Sequence, residues 1–321
     1  MATFSSSSDI ESETGSSSGL NLVHSACAFN DWTEPGLDGS NASAWREDFS
    51  RDIIPVSCHS HNDYWRRVPL YDSLAAGCTG VEADVWLKDH ELYVAHDIDS
   101  IRPHRTFKSL YIDPITSILT HQNTPNKLTN GTGYRGAFDT SPNTTLSLLI
   151  DLKEDGTSAW PVVQEQLQPL RENGWLTHFN GASVVQRPVT VVVTGDASFD
   201  LVKQNTTYRD IFFDAPLDKL NDDYNSHNSY YASMSFKDIG QIWFNRLSSK
   251  QVAIIREHIK MASSRGLKSR YWDIPSWPVS LRMNIWRILQ ENDIGMLNVD
   301  DLITASRWNW EWCTVLGLTL C

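Results

Sequence analysis

The 321-residue sequence has no apolar run approaching the roughly 18 residues that cross a bilayer, so no membrane span is expected. Its N-terminus lacks a basic stretch leading into an apolar core, and no signal peptide is read there. No block of lysine and arginine stands out and the formal net charge is −12, which speaks against a nucleic-acid partner. The same acidic balance disfavours charge-driven adsorption to anionic membranes, but leaves open a lipid headgroup reached through a local site. Nothing matches G-x-G-x-x-G or G-x-x-x-x-G-K-S/T, so a Gly-rich nucleotide loop is not supported. Cysteine is scarce: Cys27, Cys58, Cys78, Cys313 and Cys321. With no C-x-x-C pair, a zinc ribbon and a thioredoxin-like motif are not supported. Cys58–Cys78 and Cys313–Cys321 are the pairs to test for bridges; free buried thiols are the alternative.

What is present suits one large domain. The chain is 40% hydrophobic and 11% aromatic, enough to bury a sizeable core. Most of the 13 Trp are expected to pack in that core, and some to line a cleft. Four N-x-S/T sequons begin at Asn41, Asn130, Asn143 and Asn205. That number is close to chance, so a secreted location is favoured only slightly.

Residues 1–18 are Ser-rich, acidic and poor in apolar side chains, and should be disordered. Residues 19–321 read as a single domain, irregular to about residue 50 with Trp32 and Trp45 as anchors. Strand-like segments follow at 53–59, 80–87, 91–97, 145–155, 188–196, 210–217, 230–236, 268–274 and 295–302. Helix-like segments lie between them at 69–77, 108–122, 160–174, 248–266 and 278–292. Alternation of this kind argues for a parallel sheet with crossover helices. With 91–97 set aside as a close companion of 80–87, about eight strands remain, which fits a closed (β/α)8 TIM-type barrel. An open doubly wound sheet is the alternative.

Barrels place chemistry at the C-terminal ends of their strands. His59 and His61 end the first strand, Glu82 and Asp84 lie in the second, His96 follows ELYVA, and Asp151 and Lys153 lie in LLIDLKED. Side chains two apart share a face of a strand. His59 therefore goes with His61, Glu82 with Asp84, and Asp151 with Lys153. Three carboxylates on an inner face repel one another unless a hard cation such as Mg2+ or Ca2+ holds them. Histidines beside such a site carry protons near neutral pH, and a lysine stabilises charge on a phosphoryl oxygen.

The segment HSHNDYWRRVPLYDSLAAGCTGVEADVWLKDHELYVAHD, with LLIDLKED after it, resembles the phospholipase C-like phosphodiesterase superfamily. That superfamily includes glycerophosphodiester phosphodiesterases, phosphatidylinositol phospholipases C and sphingomyelinases D. The branch it is most similar to is the fungal altered inheritance of mitochondria protein 6 family. The resemblance implies a (β/α)8 barrel that cleaves a phosphodiester with two histidines and one divalent cation, Mg2+ ahead of Ca2+. Carried over, the catalytic residues are His59 or His61, His96 and Lys153, with His59 placed first because His59 and Asn62 match the H-x-x-N of the sphingomyelinase D branch. The metal ligands are Glu82, Asp84 and Asp151. Asn62 and Trp272 are expected to contact substrate. In the resembling enzymes the nucleophile is often a neighbouring substrate hydroxyl, giving a cyclic product. The chain reads H-N-D where typical glycerophosphodiesterases read H-R-G, and it has no P-E-N-T, so glycerophosphodiester specificity is not implied. The expected partner is a small-molecule or lipid phosphodiester, met by a monomer. The alternatives are phosphodiester transfer of the sphingomyelinase D kind and a barrel that keeps its pocket only for binding.

Overall fold

The β-branched runs pair side by side in the computed structural model. It describes residues 49–124, 133–308 and 310, and the backbone of 314–315 and 318–319. The expectations for residues 1–18, Cys27, Trp32, Trp45, the sequons at Asn41 and Asn130, and a Cys313–Cys321 bridge lie outside the described residues.

The strands that build the site are β1 (Val56–Ser60), β2 (Cys78–Lys88), β3 (Glu91–Val94), β4 (Leu146–Leu152), β5 (Val189–Gly195), β6 (Ile211–Pro216), β7 (Ser229–Ser235), β8 (Lys268–Trp272) and β9 (Leu297–Val299). Apart from β3, they run parallel in chain order around a ring, with β9 beside β1. The ring closes where Arg270 of β8 bridges Met296, just before β9. The fold is therefore the (β/α)8-type barrel, not the open sheet. β3 lies outside the ring as the antiparallel hairpin partner of the long β2.

The crossover helices are uneven. They are α1 (Tyr71–Ala75), α2 (Asp113–Asn123), α3 (Gly156–Gln166), α4 (Gln168–Glu172), α5 (Phe199–Lys203), α6 (Ser249–Ser264), α7 (Val279–Glu291) and α8 (Leu302–Ser306). The segment read as one helix over 160–174 is two, because Pro169 lacks an N–H and its ring excludes the preceding turn. Between β6 and β7 the chain makes only a 3-10 turn, Leu217–Lys219. No described helix is long and apolar enough to cross a membrane.

Alternation divides the strands into two faces. Val81, Ala83, Leu148, Ile150, Val191 and Val193 point outward into the packed helical layer. Leu149, Val192, Tyr231 and Met296 point inward and form the barrel floor. The inner positions above that floor are mostly polar, and they make the site.

Cys58 of β1 and Cys78 of β2 are fully buried and joined in a disulfide 20 residues apart. A loop of that length removes about 3 kcal/mol of unfolded-chain entropy. The Cys58→Ser/Cys78→Ser variant is therefore expected to melt well below the parent in non-reducing buffer. Equal midpoints with and without the bridge would contradict this.

Candidate active site

Register sets the depth of each side chain. Asp84 of β2 is level with Asp151 of β4. His59 of β1 is level with Gly80 of β2 and Asn298 of β9. Gly80 makes room for the His59 ring, since a Cβ there would meet both His59 Nδ1 and Ser147 Oγ. Gly195 does the same for Asp151: its φ is +71°, and a Cβ would collide with Asp151 Oδ1.

Glu82, Asp84 and Asp151 converge, each offering an oxygen within 4.8 Å of the others. Glu82 is buried and Asp84 has no exposure at all. Asp84 Oδ2 is crowded with partners: Tyr64 Oη at 2.7 Å, Lys153 Nζ at 2.8 Å and His96 Nδ1 at 3.3 Å. Its other oxygen, Oδ1, is buried and accepts no hydrogen bond. Burial, with the Glu82 charge nearby, pushes the Asp84 carboxyl up to about 6. Burial would also raise Glu82, but the hydrogen bond from His59 and the Arg270 charge outweigh it and hold Glu82 well below the carboxylate range. Lys153 Nζ also lies 2.6 Å from Asp151 Oδ2. Burial opposes its charge, yet Asp151 and Asp84 raise its affinity for a proton. A buried oxygen without a partner, set among three carboxylates, is a donor set that fits a hard divalent cation.

The three candidate histidines differ sharply. His59, expected as the first proton carrier, is fully buried. Both its nitrogens are engaged: Nε2 lies 3.4 Å from Glu82 Oε2, and Nδ1 lies 3.4 Å from Tyr231 Oη. Burial lowers its affinity for a proton to a value of about 4, so the ring is neutral. His61 is partly exposed, with Nδ1 2.7 Å from Asp300 Oδ1. Burial alone would lower His61, but the Asp300 hydrogen bond and the Glu82 charge outweigh it and raise it. His96 is half exposed, with Nδ1 3.1 Å from Tyr64 Oη as well as against Asp84. Its ring lies 4.8 Å from that of Trp65. The two partly exposed histidines thus share one arrangement, with Nδ1 held by a carboxylate.

Asn62 has a left-handed backbone, φ 48°, and its Oδ1 accepts from Tyr64 Oη at 2.9 Å. It borders the cluster through Tyr64, whose single hydroxyl proton serves one acceptor at a time. Trp272 ends β8, two residues after Arg270 on the same face, and is 38% exposed.

Several residues of the site carried no motif. Arg270 is buried inside the barrel and donates to Ser233, Asn298 and Asp214, with Glu82 3.6 Å away. Its signal was a lone arginine in the middle of a strand. Arg66 donates to Ser60 Oγ and to the carbonyls of His61, Val299 and Asp300, tying the end of β1 to the end of β9. Asp63 is fully buried and accepts from Leu70 N–H, Ser73 Oγ and Tyr111 Oη, fixing the turn that carries His61 and Tyr64. Asp300 follows the last strand, so the strand-end rule applied to the other acids would have singled it out.

The AIM6-like phosphodiesterase domain matches residues 47–214. The chain is similar to the altered inheritance of mitochondria protein 6 homolog of Arthroderma benhamiae, 39% identical over 279 residues, covering 84% of this chain and 88% of that one. It is similar to altered inheritance of mitochondria protein 6 of Lachancea thermotolerans, 38% identical over 282 residues, covering 78% of this chain and 65% of that one. Among solved structures, a glycerophosphodiester phosphodiesterase from Parabacteroides distasonis covers 79% of this chain and 96% of its own, with a TM-score of 0.42 and 11% identity.

Proposed function

This chain belongs to the altered inheritance of mitochondria protein 6 family, and on that premise we propose that it is a metal-dependent phosphodiesterase working through His61 and His96. The observation that carries the reading is the buried, unpartnered Asp84 Oδ1 among three convergent carboxylates. Glu82, Asp84 and Asp151 would hold one divalent cation, Mg2+ ahead of Ca2+. When bound, the cation supplies positive charge to the non-bridging phosphoryl oxygens, the term that dominates phosphoryl chemistry.

The protein's own groups do the rest. Asp300 holds His61 by Nδ1, which fixes the ring and leaves Nε2 for a proton at the reacting oxygen. Asp84 and Tyr64 hold His96 in the same way. One ring takes the proton of the nucleophile, and the other gives a proton to the leaving alkoxide. Lys153 keeps its charge between Asp84 and Asp151, where it can meet a phosphoryl oxygen. His59 is better understood as a support for Glu82, since both its nitrogens are engaged and it is closed to solvent.

The test uses the purified chain, stripped of metal, on glycerophosphocholine, a lysophospholipid, sphingomyelin and phosphatidylinositol. Turnover is expected on at least one of them, and only after Mg2+ or Ca2+ is restored. Undiminished turnover in excess chelator would remove the cation from the reading. No turnover on any of them with either ion would favour a barrel that only binds.

A further inference from the structure

Among the described residues four tryptophans are exposed, and all four stand at the barrel end that carries the carboxylates. They are Trp65 (62% exposed), Trp243 (64%), Trp272 and Trp277 (77%). Phe244, at 94%, stands beside Trp243. Trp272 ends β8 and the others sit on the segments that follow β1, β7 and β8, an arc of the rim interrupted only by the end of β9. Large aromatics left in water at one end of a molecule mark a surface that is covered in use.

The charge of the arc identifies the cover. In the whole chain, acids outnumber bases 39 to 27. Along the arc that excess is gone: Arg66, Arg67, Lys237, Arg246 and Lys250 stand against Asp63, Asp238 and Asp273, with Asp300 and Asp301 after the intervening β9. Asp63 is buried; Arg67, Lys237, Arg246 and Lys250 are exposed, against Asp238 and Asp300. The opposite arc, residues 153–156 and 196–200 after β4 and β5, presents Glu154, Asp155, Asp196 and Asp200 and no exposed large hydrophobic. Indole rings prefer the headgroup level of a bilayer, and cations beside them meet its phosphates.

The geometry points to this aromatic and basic arc as a docking surface for a phospholipid bilayer, which would set the mouth of the barrel against the lipid headgroups. The inference extends the phosphodiesterase reading by naming where substrate is met. Its test reads binding alone, so the two fail separately.

The 321-residue chain is sedimented with vesicles of pure phosphatidylcholine, and with vesicles of phosphatidylcholine and phosphatidylglycerol in equal parts. Wild type is expected to pellet with vesicles, with its tryptophan emission shifted to the blue. The Trp243→Ala/Phe244→Ala/Trp277→Ala variant should partition about 1,000-fold less well, at roughly tenfold per aromatic anchor. Ile54→Ala, exposed before β1 at the far end, should bind as wild type does. Equal melting midpoints would show that the losses are not unfolding. The inference is overturned if wild type stays in the supernatant with both vesicles, or if the triple variant partitions like wild type. It is also overturned if ultracentrifugation finds a dimer that the triple variant abolishes, which would assign the face to a second copy.

Discussion

Alanine at His61 is expected to lower phosphodiester turnover about 100- to 10,000-fold, with the melting midpoint nearly unchanged. The ring is partly exposed and supplies little packing, so its loss removes a proton carrier and leaves the fold. His96→Ala should behave in the same way, since His96 is half exposed. His59→Ala should show the reverse balance. It truncates a fully buried ring and strands Glu82 and Tyr231, at a cost of roughly 2–4 kcal/mol in stability. Turnover and melting midpoint measured on all three variants separate the roles. A stable, inactive His59→Ala beside an active His61→Ala would return the first role to His59.

Asp84→Asn is expected to abolish Mg2+ binding in calorimetry and to cost about 1,000-fold or more in turnover, as several kcal/mol of charge stabilisation disappear. The substitution keeps the shape of the side chain and lies where Lys153, Tyr64 and His96 meet, so the barrel should still form. Asp151→Asn should weaken the cation in the same direction. Wild-type Mg2+ affinity in Asp84→Asn would place the cation elsewhere and leave Asp84 and Asp151 as an ion-paired cluster with Lys153.

The barrel was legible because its strands announce themselves as short β-branched runs at regular intervals. Period-two alternation also put Glu82, Asp84 and Asp151 on one face. Depth was not legible. His59 and His61 share a face, and nothing in HSHNDY says which of them lies below the rim. That follows from the register of β1 against β2 and β9, a property of the closed ring. Asp300 was legible as a strand-end acid but its partner was not, since its contact with His61 spans 239 residues and exists only once β9 closes beside β1. Arg270 belongs to a strand with no motif, and its charge makes sense only beside Glu82 and Asp214. The short helix α5 and the hairpin that pairs His178–Phe179 with Val184–Val185 were missed because two to five residues carry too little periodicity to be seen.

The floor formed by Leu149, Val192, Tyr231 and Met296 has a kinetic meaning. Each of these residues is at most 1% exposed, so the barrel is a vessel with one mouth and not a tunnel. Whatever enters leaves by the same opening. Product still at the mouth therefore excludes the next substrate, and inhibition by product should be competitive.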